Sequence, residues 1–494
     1  MYQATAMSLK LWMRELRSRE FTIASWIFLK ALGVIYLIAF ASFGAQAIGL
    51  IGSAGILPLT AFVDAAAQLG AARFHIAPMV FWLNSSDAMI RAVWIVGAIA
   101  SIAIIAGIAQ RFALTVALVL YLSIVSAGQT FMTFQWDLLL LEAGFIALFL
   151  NGARGRVWFF WWLLFRLMFL SGAVKLASGD PTWRSLTALQ YHYETQPLPT
   201  PLAWYMNLLP DWFQRASVVF VFVAELLGPF VIFAPGRSKR WATAPIAGLQ
   251  TLIALTGNYT FFNLLTASFC ILLFDDRCWP DRLRSWMERR ALKRFAAKRP
   301  RLEAAVTLAL VGFIAPVSLL QMAAALSIRL PASLERVLGW VAPFGIVNGY
   351  GLFANMTTQR IEIIVEGSRD GAAWTPYEFA YKPGDVRRPP PWVAPYQPRL
   401  DWQMWFAALG NYRQNPFFVN LMARLLEGSP PVLALLAPGP FHRSPPTYVR
   451  ALAYRYHFTT WAERRASGAW WRRELVGQYF PAVSLRSFTP VPSR

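Results

Sequence analysis

Nine long apolar stretches constrain this chain more than any other feature. They fall at 26–50, 88–108, 112–131, 134–151, 157–177, 216–236, 240–257, 258–275 and 303–328. Each is close to the ~20 residues that a helix needs to cross a bilayer core. In hydrocarbon, backbone polar groups must be satisfied internally, so such runs form helices. The composition agrees: 14% of residues are charged and 57% are hydrophobic, against about 25% charged in soluble domains. The expected architecture is a polytopic α-helical membrane bundle over 1–330, followed by a separate domain over 331–494. Between 240–257 and 258–275 the chain must turn at Thr256-Gly257-Asn258-Tyr259, which has turn chemistry.

The loops orient the bundle, because Lys and Arg favour the cytoplasmic side. The N-terminal segment carries Lys10, Arg14, Arg17, Arg19 and Lys30. Placing it inside puts Arg111, then Arg154 and Arg156, then Arg237, Lys239 and Arg240, and finally the arginine-rich 276–302 loop inside as well. The turns at 132–134 and near 257 carry no Lys or Arg, and 51–87 and 178–215 carry few for their length. One orientation therefore suits every short loop and puts 329–494 outside the cytoplasm. Ala45-Gln46-Ala47 resembles a signal-peptide cleavage site, but the charged region before it and the apolar run are both long, so a retained span is expected. Trp279, Leu283, Trp286, Leu292 and Phe295 are interleaved with arginines over 278–301. That stretch either lies along anionic lipid head groups or is a solvated orienting loop.

The net charge of +21 would suggest nucleic acid in a soluble protein. Here the basic residues sit in short segments between apolar runs, so no nucleic-acid partner is expected. Cys270 and Cys278 are too few for a disulfide scaffold. No Cys/His spacing suits zinc, and no cofactor is implied.

Ionisable groups within spans need partners or a purpose. Asp137 and Glu142 lie in the fourth run, Arg166 and Lys175 in the fifth, and Glu225 in the sixth. At ~1.5 Å per residue, Glu142, Arg166 and Glu225 share a mid-membrane depth and form one expected cluster. Asp137 and Lys175 lie near the outer surface and form an expected pair. Three readings stand: structural ion pairs that fix helix register, an outward-opening cavity with Lys175 as base or nucleophile, or an ion pathway.

The outer loop 178–215 holds Trp183, His192 and Glu194, then the stiff run Pro197-Leu198-Pro199-Thr200-Pro201. His192 and Glu194 could support acid–base chemistry, but no triad motif accompanies them. Further on, 360–367 and 374–381 read as paired strands around a Ser368–Gly371 turn, and Thr447–Phe458 as another. Pro389-Pro390-Pro391 reads as a rigid linker. Asp401 is an expected N-cap, with Trp402, Trp405 and Phe406 on one helical face. Residues 416–427 and 430–437 read as helical. Together these predict a mixed α/β domain, a β-sandwich core with a helical insertion. The aromatic face is either core or a docking surface for a membrane or apolar partner.

Several stretches resemble the lipase maturation factor family. They include Trp136-Asp137-Leu138-Leu139-Leu140-Leu141-Glu142-Ala143-Gly144-Phe145, Tyr191-His192-Tyr193-Glu194-Thr195-Gln196-Pro197 and Thr256-Gly257-Asn258-Tyr259-Thr260-Phe261-Phe262-Asn263. In the terminal region they are Asn348-Gly349-Tyr350-Gly351-Leu352-Phe353, Lys382-Pro383-Gly384-Asp385, Arg399-Leu400-Asp401-Trp402-Gln403-Met404-Trp405-Phe406, Tyr454-Arg455-Tyr456 and Tyr479-Phe480-Pro481. The resemblance implies a non-enzymatic protein of the endoplasmic-reticulum membrane that helps secreted dimeric lipases fold, with a lumenal terminal domain. This chain departs in having Tyr381 and Pro390 where the resemblance implies cysteines, and in a tail with no retrieval signal. These departures suggest a bacterial inner-membrane homologue with a periplasmic domain and an exported client protein. A shorter resemblance, Gly172-Ala173-Val174-Lys175-Leu176 followed by Trp183, is to the membrane region of vitamin K-dependent carboxylases. It implies an enzyme acting on a lipid or quinol at Lys175.

Overall fold

The computed structural model describes residues 20–282, 284–287 and 300–488. Lys10, Arg14, Arg17 and Arg19, and Leu283, Leu292 and Phe295 of the basic stretch, lie outside the described residues. Among the described residues, six helices are long and apolar enough to cross a membrane: Thr22–Gly44, Asp87–Ala106, Gln110–Ala127, Arg154–Ala177, Asp211–Val231 and Leu302–Ala325. The expected spans at 134–151, 240–257 and 258–275 form shorter helices, Gln135–Ala147, Thr243–Thr256 and Phe262–Phe269.

The chain beside these shorter helices makes its hydrogen bonds to the rest of the protein. The Asn258 side chain donates to the Leu198 and Pro391 carbonyls and accepts from the Val393 and Ala394 amides. The turn between the last two short helices is thus tied to the outer loop and to the terminal domain. At the other short helix, Gln135 accepts from the Gly351 amide at 3.2 Å.

The 178–215 segment is largely helical, with Pro181–Arg184, Ala188–Thr195 and Pro201–Asn207. Its proline run is extended, and Pro199 bridges to Gly257.

The terminal domain corrects the expected β-sandwich. Among its described residues there is one antiparallel sheet in the order β2-β1-β3-β4, formed by β1 (Arg360–Ser368), β2 (Thr375–Pro376), β3 (Tyr448–Phe458) and β4 (Trp471–Ser484). The helices Arg399–Ala407 and Pro416–Leu426 stand where a second sheet would be, burying Leu400, Met404, Phe418, Leu421 and Leu425. The returning strand expected at 374–381 shrinks to Thr375–Pro376, beyond which the Tyr377 amide still donates to the Val365 carbonyl at 2.8 Å. β4 is absent from the sequence expectation. Its run is interrupted by Gly477 and Pro481.

The domain is seated on one end of the bundle. Gln46 donates to the Gln397 carbonyl and accepts from the Arg399 amide, and Trp136 donates to Gln397 Oε1. Buried Arg360 donates to the carbonyls of Glu194, Gln196 and Pro197 in the outer loop.

Candidate functional site

The five charges singled out in the bundle all find partners: Glu142 and Arg166 meet as the expected cluster has them, and the other pairings differ. Arg166 pairs with Glu142, both fully buried. Glu142 also accepts from the Asn348 amide at 2.9 Å and the Tyr350 hydroxyl at 2.7 Å, while Arg166 donates to the Asn348 carbonyl. Glu225 does not join them. Its carboxylate lies 2.8 Å from Lys175 Nζ. Asp137, expected beside Lys175, instead takes Arg399 from the terminal domain. The helix ends do not lie level at a common surface, so equal depth along each helix does not bring these residues together. The helix carrying Glu225 begins at Asp211, about 21 Å of rise before Glu225, whereas Lys175 is two residues from its own helix end at Ala177.

Two local features bring Lys175 and Glu225 together. Gly172 allows close helix approach: a Cβ there would lie 2.8 Å from the Leu226 side chain. Glu225 sits in a single π-helical turn, Val223–Leu227, a distortion that recurs at functional sites. All three ammonium protons of Lys175 have acceptors, namely both Glu225 oxygens and the Ser171 carbonyl.

This pair lines a cavity of about 510 Å³ among largely apolar walls. His192, Gln250, Tyr259 and Asn263 are its other main polar residues. His192 Nε2 lies 3.4 Å from the Tyr259 hydroxyl. Burial, helped by the Lys175 charge, pulls His192 down to about 4, so the ring is neutral at pH 7. Trp183 lines the same cavity, with its ring 5.2 Å from Lys175 Nζ and its indole N–H on the Phe353 carbonyl.

Glu194 does not share this site. Its carboxylate accepts from the Phe458 amide at 2.7 Å and lies 2.9 Å from His457 Nδ1, so it fastens the loop to β3 and forms no acid–base couple with His192. Asp401 is not an N-cap, since Pro398 holds that position. It accepts from the Tyr381 and Lys382 amides, and burial raises it to about 6. Trp402 is buried against Phe134, Trp136 and Tyr259. Trp405 donates to the Thr195 carbonyl, and Phe406 remains 42% exposed. The aromatic face thus mostly joins domain to bundle.

Residues 23–281 match the family description "Lipase maturation factor transmembrane domain", and residues 346–481 match "Lipase maturation factor C-terminal domain". Lipase maturation factor 2 of Homo sapiens is 35% identical over 93% of this chain and 82% of its own length. Lipase maturation factor 1 of Bos taurus is 34% identical over 95% of this chain and 90% of its own. The chain belongs to the lipase maturation factor family. No solved structure matches it. Within this family member, Asn348, Tyr350, Arg360 and Arg399 fall in the second matched region. Their partners Asp137, Glu142, Arg166 and the outer loop fall in the first. The two regions therefore share their buried charges. Of the motifs that carried the resemblance, Asn348-Gly349-Tyr350 was the available signal for the Glu142 network, but no spacing rule links residues 206 positions apart.

Proposed function

We propose that this chain is a membrane-anchored maturation factor that assists the folding or assembly of exported proteins, lipases among them. The observation that carries this reading is the similarity to proteins named lipase maturation factors across both regions of the chain. The three shorter helices complete a nine-crossing bundle with the N-terminus in the cytoplasm. The terminal domain then faces the periplasm in a bacterial inner membrane, or the lumen in an endoplasmic reticulum. In support, the terminal domain contacts Gln46, Asp137, the 194–197 segment and Asn258, which all fall at bundle ends that this orientation puts outside. The client meets the free edge of the sheet, where among the described residues β4 pairs only with β3 and Arg472 through Val476 are exposed. An exposed edge strand offers backbone groups for pairing with an extended chain.

The test is recovery of active exported lipase in cells lacking this protein. Wild type restores it, and Leu475→Lys with Val476→Lys restores less while the protein accumulates normally. Unchanged lipase recovery in the deletion strain rejects the reading.

The cavity favours a second reading, a membrane-embedded enzyme acting on a lipid or quinol. Proton transfer from Lys175 to Glu225 would leave a neutral amine as base. Lys175→Met then abolishes function in a stably accumulating protein. Full function in that variant sinks it.

A further inference from the structure

The 510 Å³ cavity lies within the roughly 300–1,000 Å³ range of small-molecule sites. Its chemistry is unusual for a packing defect. Gln250 and Asn263, each 5% exposed, line it, and Gln250 Oε1 and Asn263 Oδ1 are buried with no hydrogen-bond partner. Buried amide oxygens without a donor are costly, and a ligand donor would satisfy them. The charges nearby offer nothing to an anion. Lys175 has spent its three protons, and its charge is balanced by Glu225. His192 is neutral.

The cavity's other walls are largely apolar and reach the exposed surface. Leu202, Tyr205, Ala216, Leu252 and Leu255 line it and are themselves exposed, between the helices that start at Pro201, Asp211 and Thr243. The polar residues are thus deep and the mouth is greasy.

We infer that this cavity binds an uncharged, single-chain lipid with a hydroxyl head, of the monoacylglycerol or long-chain alcohol type. It enters sideways from the bilayer with its hydroxyl donated to Gln250 and Asn263 and its chain toward Ala216 and Leu252. This goes beyond the maturation reading and depends on ligand binding, whereas that reading depends on client recovery.

The test uses the purified full chain in a detergent whose head group has no free hydroxyls, with binding read by native mass spectrometry. The probes are 1-oleoylglycerol, oleyl alcohol, oleate and oleoyl lysophosphatidic acid. The two uncharged probes should bind, and the two anions should bind about tenfold more weakly or not at all. The ratio between 1-oleoylglycerol and oleyl alcohol decides which head fits. Gln250→Leu should weaken the uncharged probes about tenfold. Ala216→Trp, at the exposed mouth, should block them with an unchanged melting temperature. Equal binding of oleate, no binding of either uncharged probe, or undiminished binding in a folded Ala216→Trp protein each overturns the inference.

Discussion

Arg399 of the terminal domain grips Asp137 of the bundle through two parallel hydrogen bonds, Nη1 to Oδ2 and Nη2 to Oδ1, each 2.9 Å. Both side chains are sealed from solvent. The Tyr121 hydroxyl donates to the same carboxylate, and Arg399 Nη1 also donates to the Phe131 carbonyl at 2.7 Å. A bidentate arginine–carboxylate pair fixes orientation as well as distance. Domain and bundle are therefore one packed unit, joined by a charge that neither can bury alone.

Removing one partner strands the other in low dielectric, which costs about 3–5 kcal/mol. Arg399→Met should lower the melting temperature sharply and open the 391–399 segment to proteolysis. Adding Asp137→Leu should recover part of that loss, because the stranded carboxylate goes too. A double variant no more stable than Arg399→Met would show that the pair is not the source of the coupling.

Tyr350→Phe tests the second junction. It deletes one hydrogen bond to the Glu142 carboxylate and leaves the ring in place. The expected loss is about 1.5–3 kcal/mol, the range for hydrogen bonds to charged groups. Glu142→Leu should cost more, since it strands Arg166. Thermal unfolding of the two variants side by side gives the order, and the reverse order would contradict the network.

Gly172→Ala tests the approach that pairs Lys175 with Glu225. The new methyl would sit 2.8 Å from Leu226 and 3.0 Å from the Glu225 Cβ, so one helix must move. Overpacking of this kind costs roughly 1–3 kcal/mol. The Lys175 amine should also become more reactive toward an acylating reagent. Unchanged labelling together with unchanged stability would show that the contact is slack.

The six long helices were legible from apolar run length, because hydrocarbon permits little else. The five buried charges were legible as a set, since each breaks such a run. Their pairing was legible only for Glu142 with Arg166. Depth along a helix says nothing about a residue such as Arg399, which arrives from a different domain 262 positions away. The sheet was half legible: β1 and β3 are rich in branched and aromatic residues, whereas β4 hides behind Gly477 and Pro481. The helix at Arg399–Ala407 was visible, but its role was not. Trp402 looks the same in sequence whether it docks on a partner or on Trp136 of its own chain.

His192 makes stability depend on pH in a direction that can be worked out. Burial and the Lys175 charge hold the folded pKa at about 4, below the ~6.5 of an unfolded chain. The ring also packs edge-on to Phe353, with Tyr259 above its Nε2. Below pH 6.5 the unfolded chain takes a proton that the folded one refuses. Stability therefore falls between about pH 6.5 and 4 and is level beyond either end, by no more than about 3 kcal/mol for a partly buried ring. Asp401 acts the opposite way in much of the same window. Its folded pKa is raised to about 6 by burial, so its contribution improves as pH falls from 6 toward 3.8. The wild-type curve alone mixes the two. His192→Leu removes only the first, so its melting temperature should gain on the wild type steadily from pH 7 to pH 4. Parallel curves would mean that His192 takes its proton inside the folded protein, and the neutral cavity wall would have to be abandoned.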